Sequence, residues 1–264
     1  MSIKLVAVDM DHTFLNSNKT YNIPRFRALF EKMQEQKIEF VVASGAQMQR
    51  LHSCFSEDII DKITFIAENG AWIMRGNKEI KADEMSQKVV VEETNKLAYL
   101  PLIDVSVSGK KSTYVLESLH DIYYQAMQKF YPMIEKVETF ADITDEILKF
   151  SIKSRIMPTQ IALQMISPII SAEFCPMPSG HISIDITLPH VHKGSALAYV
   201  ANMYDIDLGD CLAFGDNEND RTMLASVGQG YVMKNAVPSL FDVSPLRAPS
   251  NDEDGVLAIL ERLL

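Results

Sequence analysis

The chain has 264 residues, 47% of them hydrophobic and 23% charged, which is a globular make-up with core enough for one large domain or two modest ones. A formal net charge of −10 argues against a basic-patch binder of nucleic acid or anionic lipid, and leaves phosphate binding to places where a metal or local cations reverse the field. Cys54, Cys175 and Cys211 are odd in number and show no CxxC pairing, which argues against a disulfide framework or structural zinc and fits a reducing compartment.

The first apolar run, residues 3–10 (IKLVAVDM), is short, Val-rich and ends in carboxylates, as a buried parallel strand does; Asp9 and Asp11 break it before it can serve as a signal peptide. Pro24 opens a helix with Phe26, Leu29, Phe30 and Met33 on one face. Residues 38–44 (IEFVVAS) form a second strand stopped by Gly45, and residues 63–67 (ITFIA) a third, followed by the turn Glu68-Asn69-Gly70. This is the α/β rhythm.

From about 83 to 187 the pattern changes. Residues 104–108 and 113–116 flank Gly109-Lys110-Lys111 as a hairpin, and residues 148–153 and 182–186 alternate like half-exposed strands. Helical stretches at 119–130 and 159–170 lie between them, which gives an α+β unit inserted into the α/β domain. The α/β rhythm resumes at His192, with a stripe of Ala196, Leu197, Val200, Met203 and Tyr204. It continues through a strand at 211–214, a short helix carrying Met223 and Leu224, a strand at 230–233 and an amphipathic helix at 256–264. No stretch approaches the length of a membrane span, so the expectation is a cytoplasmic protein with no membrane or nucleic-acid partner.

Open parallel sheets bind ligands beyond the carboxyl ends of their strands. Three such ends carry chemistry here: Asp9 and Asp11 after the first strand, Ser44 after the second, and Asp216, Asn219 and Asp220 in GDNEND after the strand at 211–214. Two carboxylates on one face of a strand end repel unless a cation or a shared proton lies between them. Alone, DMD also reads as a strand end capped by solvated aspartates, and GDNEND as an acidic loop capping a helix. Carboxylates from two strands, a backbone carbonyl and waters make the usual oxygen set for magnesium, which commonly bridges to a substrate phosphate. Ser44 and the N–H groups that follow it suit phosphate oxygens. Lys193 opens a helix, where the dipole disfavours a cation; a phosphate bound there would resolve the conflict. His190 and His192 form an HxH without ligand partners nearby in sequence and read as a loop.

Together DMDHT, Ser44, Lys193 and GDNEND resemble the haloacid dehalogenase superfamily of phosphohydrolases, over almost the whole chain. Ala67-Glu68-Asn69-Gly70-Ala71, Ser183-Ile184-Asp185-Ile186, Lys193-Gly194-Ser195-Ala196-Leu197 and Ser250-Asn251-Asp252-Glu253-Asp254-Gly255-Val256 resemble its Cof-type subfamily. The resemblance implies a Rossmann-like parallel-sheet core, residues 1–82 and 188–264, with an inserted α+β cap of the C2 type at 83–187. It further implies magnesium-dependent hydrolysis of small phosphorylated metabolites, with sugar phosphates the leading class. Nothing in the sequence reads as an interface stripe, so a monomer is expected.

Implied roles follow residue by residue. Asp9 is the nucleophile that becomes an aspartyl phosphate, and Asp11 is the general acid and base. Asp9, the Asp11 carbonyl and Asp216 hold Mg2+, with Asp220 orienting its shell through water. Ser44, Gly45, Lys193 and Asn219 hold phosphoryl oxygens. His12 stands where the family has glycine, so it must adopt the backbone that glycine tolerates. Ala46 stands where the family has arginine and removes a cation from the substrate's surroundings. His181 and the Lys110-Lys111 loop are candidate cap contacts only, and both positions suit solvent better. A phosphomutase, which returns the phosphoryl group to another hydroxyl, and a phosphate-binding regulatory protein are the alternatives.

Overall fold

Strands buried on both faces need residues that leave no polar side chain unpaired, and the Val-, Ile- and Ala-rich runs meet that condition. In the computed structural model, which describes residues 3–98, 100, 102–179 and 183–264, the chain begins with β1 (Leu5–Val8), α1 (Ile23–Glu35), β2 (Glu39–Ala43), α2 (Met48–Ser53), α3 (Glu57–Ile60) and β3 (Ile63–Ala67). A hairpin of β4 (Trp72–Arg75) and β5 (Lys78–Ala82) follows. The middle contains α4 (Gln87–Ala98), β6 (Ile103–Gly109), β7 (Thr113–Leu116), α5 (Asp121–Gln128), β8 (Ile134–Val137), β9 (Ile147–Ser154), α6 (Thr159–Ile166), β10 (Cys175–Pro178) and β11 (Ser183–Thr187). The last part contains α7 (Lys193–Met203), β12 (Cys211–Gly215), α8 (Arg221–Ser226), β13 (Gln229–Met233), β14 (Arg247–Ala248) and α9 (Gly255–Leu263).

Two sheets result. The larger has the order β14-β13-β12-β1-β2-β3-β4-β5. It is parallel from β14 to β3 and antiparallel at the β4 and β5 edge. Because β2 and β12 flank β1 on opposite sides, the strand order reverses there, and the crevice beyond the carboxyl end of β1 is the switch point where such folds bind ligands. Phe26, Phe40, Phe65 and Phe214 are fully buried in the core of this sheet. The expected α/β fold with a parallel-sheet core is what the chain adopts.

The second sheet has the order β10-β11-β9-β6-β7-β8, antiparallel except for the parallel pair β7 and β8. Its own apolar cluster includes Val107, Phe150, Ile152 and Ile184 and takes in α4 through Val90 and α6 through Ile166. Period-two alternation sends Phe150 and Ile152 of β9 into this cluster, while Lys149, Ser151 and Lys153 project from the other face. In β11, Ser183 and Asp185 face the same way and lie opposite Lys153 and Ser151 in register.

The alternation of β9 was expected to mark a half-exposed strand, yet it is buried nearly throughout. On its polar face Lys149 meets the Gly45 carbonyl and Glu68 beyond the ends of β2 and β3, and Ser151 bonds to Asp185 of β11. The β4 and β5 hairpin, α4 and the short edge strands β8, β10 and β14 have no counterpart in the sequence reading, since their residues lack strong periodicity. Met203, expected in the α7 stripe, is 41% exposed, and Ala201 is buried in its place. This helix packs very closely: a Cβ on Gly194 would lie 2.7 Å from the Thr222 backbone, so small residues define its inner face. His181 and Ile182 lie outside the described residues.

Candidate active site

The ladder of β1 ends at Val8, and a turn of residues 10–15, closed by Leu15 N–H donating to the Met10 carbonyl at 2.8 Å, carries the chain over the sheet edge. His12 in that turn has φ +62°, the left-handed backbone expected from its glycine-like position, which costs a non-glycine residue about 1–2 kcal/mol. Glu68 and Asn69, in the turn after β3, are also left-handed, with φ of +51° and +59°. Strained backbone of this kind collects at functional sites.

Asp9 and Asp11 line one cavity of about 400 Å³ with Ser44, Gly45, Asp216 and Asn219. The turn, rather than strand alternation, brings Asp9 and Asp11 together. Beneath its floor, Lys193 Nζ is fully buried, 2.5 Å from Asp9 Oδ1 and 2.6 Å from Asp220 Oδ1. The expected conflict between Lys193 and the dipole of α7 is therefore resolved by two carboxylates within the protein. The helix start itself is capped by His192, whose Nδ1 accepts from Ser195 N–H at 3.0 Å, so this histidine is structural and the HxH forms no metal site.

Asp220 Oδ2 accepts the backbone N–H groups of Asp216 at 2.9 Å and Asn217 at 3.1 Å, so both of its oxygens have protein donors. Asp216 accepts Thr13 Oγ1 at 2.9 Å. Glu218, the third carboxylate of GDNEND, turns away and pairs with Arg221 at 2.9 Å. Ligand oxygens of Asp9, Asp216 and Asp220 lie within 4.8 Å of one another. Burial raises the Asp9 carboxyl to about 7; Lys193 pulls it down, while Asp220 and Asp11 push it up. Burial, then Asp9 and Asp220, raise Asp216 to about 8 against the pull of Thr13 and Lys193. Three carboxylates held by one ammonium, with oxygen donors alone, fit a hard divalent cation such as Mg2+.

Asp11 behaves differently. Arg50 Nη2 lies 2.7 Å and Lys19 Nζ 2.8 Å from its Oδ1. Burial pushes this carboxyl up, but the two cations outweigh burial and hold it below the usual carboxylate range. Ala46 lines the cavity without a charge, and Arg50, four residues further along and projecting from α2, brings a cation to the same cavity.

Ser44 is buried; its Oγ accepts from Ala46 N–H at 3.2 Å, and its carbonyl accepts from Asn69 N–H at 3.0 Å. Asn219 Nδ2 donates to Asn69 Oδ1 at 3.1 Å, and Asn69 Nδ2 donates to Asp185 Oδ2 at 2.5 Å. Lys149 enters from β9 and reaches Asp185 Oδ2 and Glu68 Oε2, each at 3.0 Å, and the Gly45 carbonyl at 2.6 Å. The polar face of the second sheet is in this way tied to the carboxyl ends of β2 and β3 in the first. Thr13, Lys19, Arg50 and Lys149 escaped the sequence reading, Thr13 although it lies inside DMDHT. Lys110 lies outside the cavity lining and instead clasps Glu79 and Glu84, each at 3.1 Å.

An α/β fold with buried carboxylates and a lysine at the switch point of a parallel sheet is a phosphoryl-transfer architecture. The model of the haloacid dehalogenase-like hydrolases matches residues 6–260, and the chain belongs to that family and is one of its phosphatases. It is 36% identical over 268 residues to the 5-amino-6-(5-phospho-D-ribitylamino)uracil phosphatase YbjI of Escherichia coli K12, a match covering 100% of this chain and 97% of YbjI. The crystal structure of SMU.1108c from Streptococcus mutans UA159 superposes with a TM-score of 0.93 at 28% identity, covering 99% of both chains. A haloacid dehalogenase-like hydrolase from B. subtilis shares the fold, with a TM-score of 0.83 at 21% identity over 99% of this chain and 100% of that one. No helix among the described residues is long and apolar enough to cross a membrane.

Proposed function

We propose that the protein hydrolyses small phosphate monoesters with magnesium and through a phosphoenzyme on Asp9. The observation that carries this reading is the cluster of Asp9, Asp216 and Asp220 around Lys193 at and beneath the cavity floor. Residues 1–82 and 188–264 form the core and residues 83–187 the cap that roofs it; the separate apolar clusters of the two sheets support this division.

Asp9, the Asp11 carbonyl and Asp216 would hold the ion, and Asp220, whose oxygens are already occupied, braces the set by fixing Lys193 and the 216–217 backbone. When bound, Mg2+ neutralises phosphate charge and orients the group for in-line attack. Lys193 fixes Asp9 through Oδ1, and Oδ2 has no protein donor among the described residues and is the attacking oxygen. Attack forms the Asp9–phosphorus bond and breaks the bond to the leaving oxygen, which takes a proton from Asp11. Water then attacks phosphorus, gives its proton to Asp11 and frees Asp9. Ser44, Gly45 N–H, Asn219 and Lys193 hold the equatorial oxygens as charge spreads over them. For Asp11 to carry a proton, Arg50 and Lys19 must loosen their hold, and an incoming phosphate dianion gives both cations a competing partner.

YbjI is by name a phosphatase whose substrate bears its phosphate on a ribityl chain. A phosphate on a polyhydroxylated chain is common to that compound and to sugar phosphates, and it is the substrate class we assign. The test is phosphate release from p-nitrophenyl phosphate with magnesium and with EDTA, for wild type and Asp9→Asn. Activity should require metal and vanish in the near-isosteric variant. Wild-type turnover by Asp9→Asn would remove Asp9 as nucleophile, and isomer interconversion with little phosphate release would make the protein a mutase.

A further inference from the structure

The cavity is electrostatically divided. At and beneath its floor three carboxylates, Asp9, Asp216 and Asp220, gather with one ammonium, Lys193, which pairs with Asp9 and Asp220, a deficit that a divalent cation balances. Around the rest of the cavity the balance reverses. Lys19, Arg50, Lys149 and Lys153 stand against Asp11, Asp185 and Glu68, four cations to three carboxylates, in a chain whose net charge is −10. Three of these cations are paired: Lys19 and Arg50 with Asp11, and Lys149 with Glu68 and Asp185.

Lys153 differs. It lines the cavity from β9, two residues beyond Ser151 on the polar face of the roof, and makes no ion pair among the described residues. Its ammonium lies 5.3 Å from the ring centroid of Phe130 and 5.0 Å from that of Tyr131, both of which also line the cavity. Tyr131 packs against the cluster of Val115, Leu119 and Met127, which seats its ring beneath the ammonium. Two ring faces hold the ammonium in place by cation–π attraction without neutralising it. A partly buried cation that is positioned but not paired is a standing site for an anion, because the ligand recovers what the protein leaves uncompensated.

We propose that Lys153, backed by Phe130 and Tyr131, is the leaving-group subsite, and that it selects phosphate esters whose leaving group bears a second anionic group, a carboxylate or a second phosphate. This rests on the phosphatase reading above and narrows it. The transferred phosphate occupies the floor, and the remote charge meets Lys153 on the roof, so the cap residue chooses the substrate without touching the reacting atoms.

The test compares matched substrates: 6-phosphogluconate against glucose 6-phosphate for the carboxylate, and fructose 1,6-bisphosphate against fructose 6-phosphate for the second phosphate. Wild type should favour the more anionic member of at least one pair by about tenfold in kcat/KM, the worth of one charge-assisted hydrogen bond. In Lys153→Met that ratio should fall towards one, chiefly through KM, and Lys153→Arg should retain most of it. The ratio within each pair is insensitive to a general loss of active protein. A wild-type ratio near one in both pairs, or an unchanged ratio in Lys153→Met, overturns the proposal. If p-nitrophenyl phosphate is not hydrolysed either, the phosphatase reading fails, and calorimetric titration of the magnesium-loaded protein with 6-phosphogluconate and glucose 6-phosphate decides the subsite. Equal affinities, or a preference that survives Lys153→Met, overturn it there.

Discussion

Replacing Lys149 by Met tests whether the roof is fastened to the floor by charge. The side chains of Lys149, Glu68 and Asp185 are 2%, 1% and 6% exposed, so the three charges exchange almost nothing with water. Burial pushes Glu68 up while Lys149 pulls it down, and burial likewise opposes the carboxylate of Asp185, which Lys149 and Ser151 more than offset. Methionine fills much of the lysine volume, so the loss is electrostatic rather than a cavity. Stripping the cation from a buried pair costs about 3–5 kcal/mol. At about 2–4 °C per kcal/mol for a chain approaching this length, the melting temperature should fall by roughly 6–20 °C. The variant should also acquire a pH dependence. Without Lys149 the folded-state pKa of Glu68 rises further above its unfolded value, so its contribution is present below the unfolded pKa and lost as pH rises. The deficit measured by calorimetry should therefore be smaller at pH 5 than at pH 8. Adding Glu68→Gln to Lys149→Met should recover part of it, since the second change removes one of the two orphaned charges, leaving Asp185. A melting temperature within about 2 °C of wild type at pH 8 would refute the reasoning, because a loss that small is below the cost of an unpaired buried charge.

The raised carboxyls of Asp9, about 7, and Asp216, about 8, give the metal-free protein a similar signature. Their folded pKa values exceed the ordinary 3.8, so the stability they confer is full below that value and is lost as pH rises through 7 to 8. Magnesium should restore it, by about 2.7 kcal/mol at a hundred times its Kd, and the gain in melting temperature should grow between pH 6 and 8.5; a gain independent of pH would count against these ligands. Arg50→Met should raise the Asp11 carboxyl and move the alkaline limb of kcat/KM for p-nitrophenyl phosphate to higher pH, whereas an unmoved limb would detach Asp11 from the acid step. In Gly45→Ala the new Cβ would lie 2.8 Å from Asn69 Oδ1, and Asn69 is held on its other side by Asp185. Displacing Asn69 releases Asn219 from its hydrogen bond, so kcat/KM should drop about ten- to a hundredfold, with unfolding by circular dichroism nearly unchanged; wild-type kinetics would show that Asn219 needs no such support.

Residues that act near a strand end could be read in the sequence, because strand ends are marked by where apolar runs stop. Asp9, Ser44 and Asp216 fall at those stops, and all three line the cavity. Arg50 could not be read this way. It looks like any polar residue on a short helix, and its meaning comes from α2 starting over the sheet edge beside the Asp11 turn. Lys149 was hidden differently: the alternation LKFSIKS has the form of a strand with one wet face, and only the second sheet lying over the first makes that face a roof. Periodicity reports which side is polar, and only tertiary contact decides whether that side meets water or another charge.

That distinction explains how so acidic a chain can hold a phosphate ester. The long-range field of a net −10 surface opposes an anion, so binding depends on charges the solvent does not screen. All but one of the cavity-lining cations sit in ion pairs with buried or half-buried carboxylates: Lys149 with Glu68 and Asp185, and Lys19 and Arg50 with Asp11. Lys19 and Arg50 exceed Asp11 by one positive charge, and Glu68 and Asp185 exceed Lys149 by one negative charge, so the two sets cancel one another. On the reading proposed above, net attraction comes from a divalent ion held by Asp9 and Asp216 and from Lys153 on the roof. If both are needed, raising salt should raise KM only modestly in wild type, because one charge lies among buried carboxylates and the other is partly buried. A surface-steered enzyme would instead lose affinity steeply over the same range, and the slope of log KM against log salt separates the two cases.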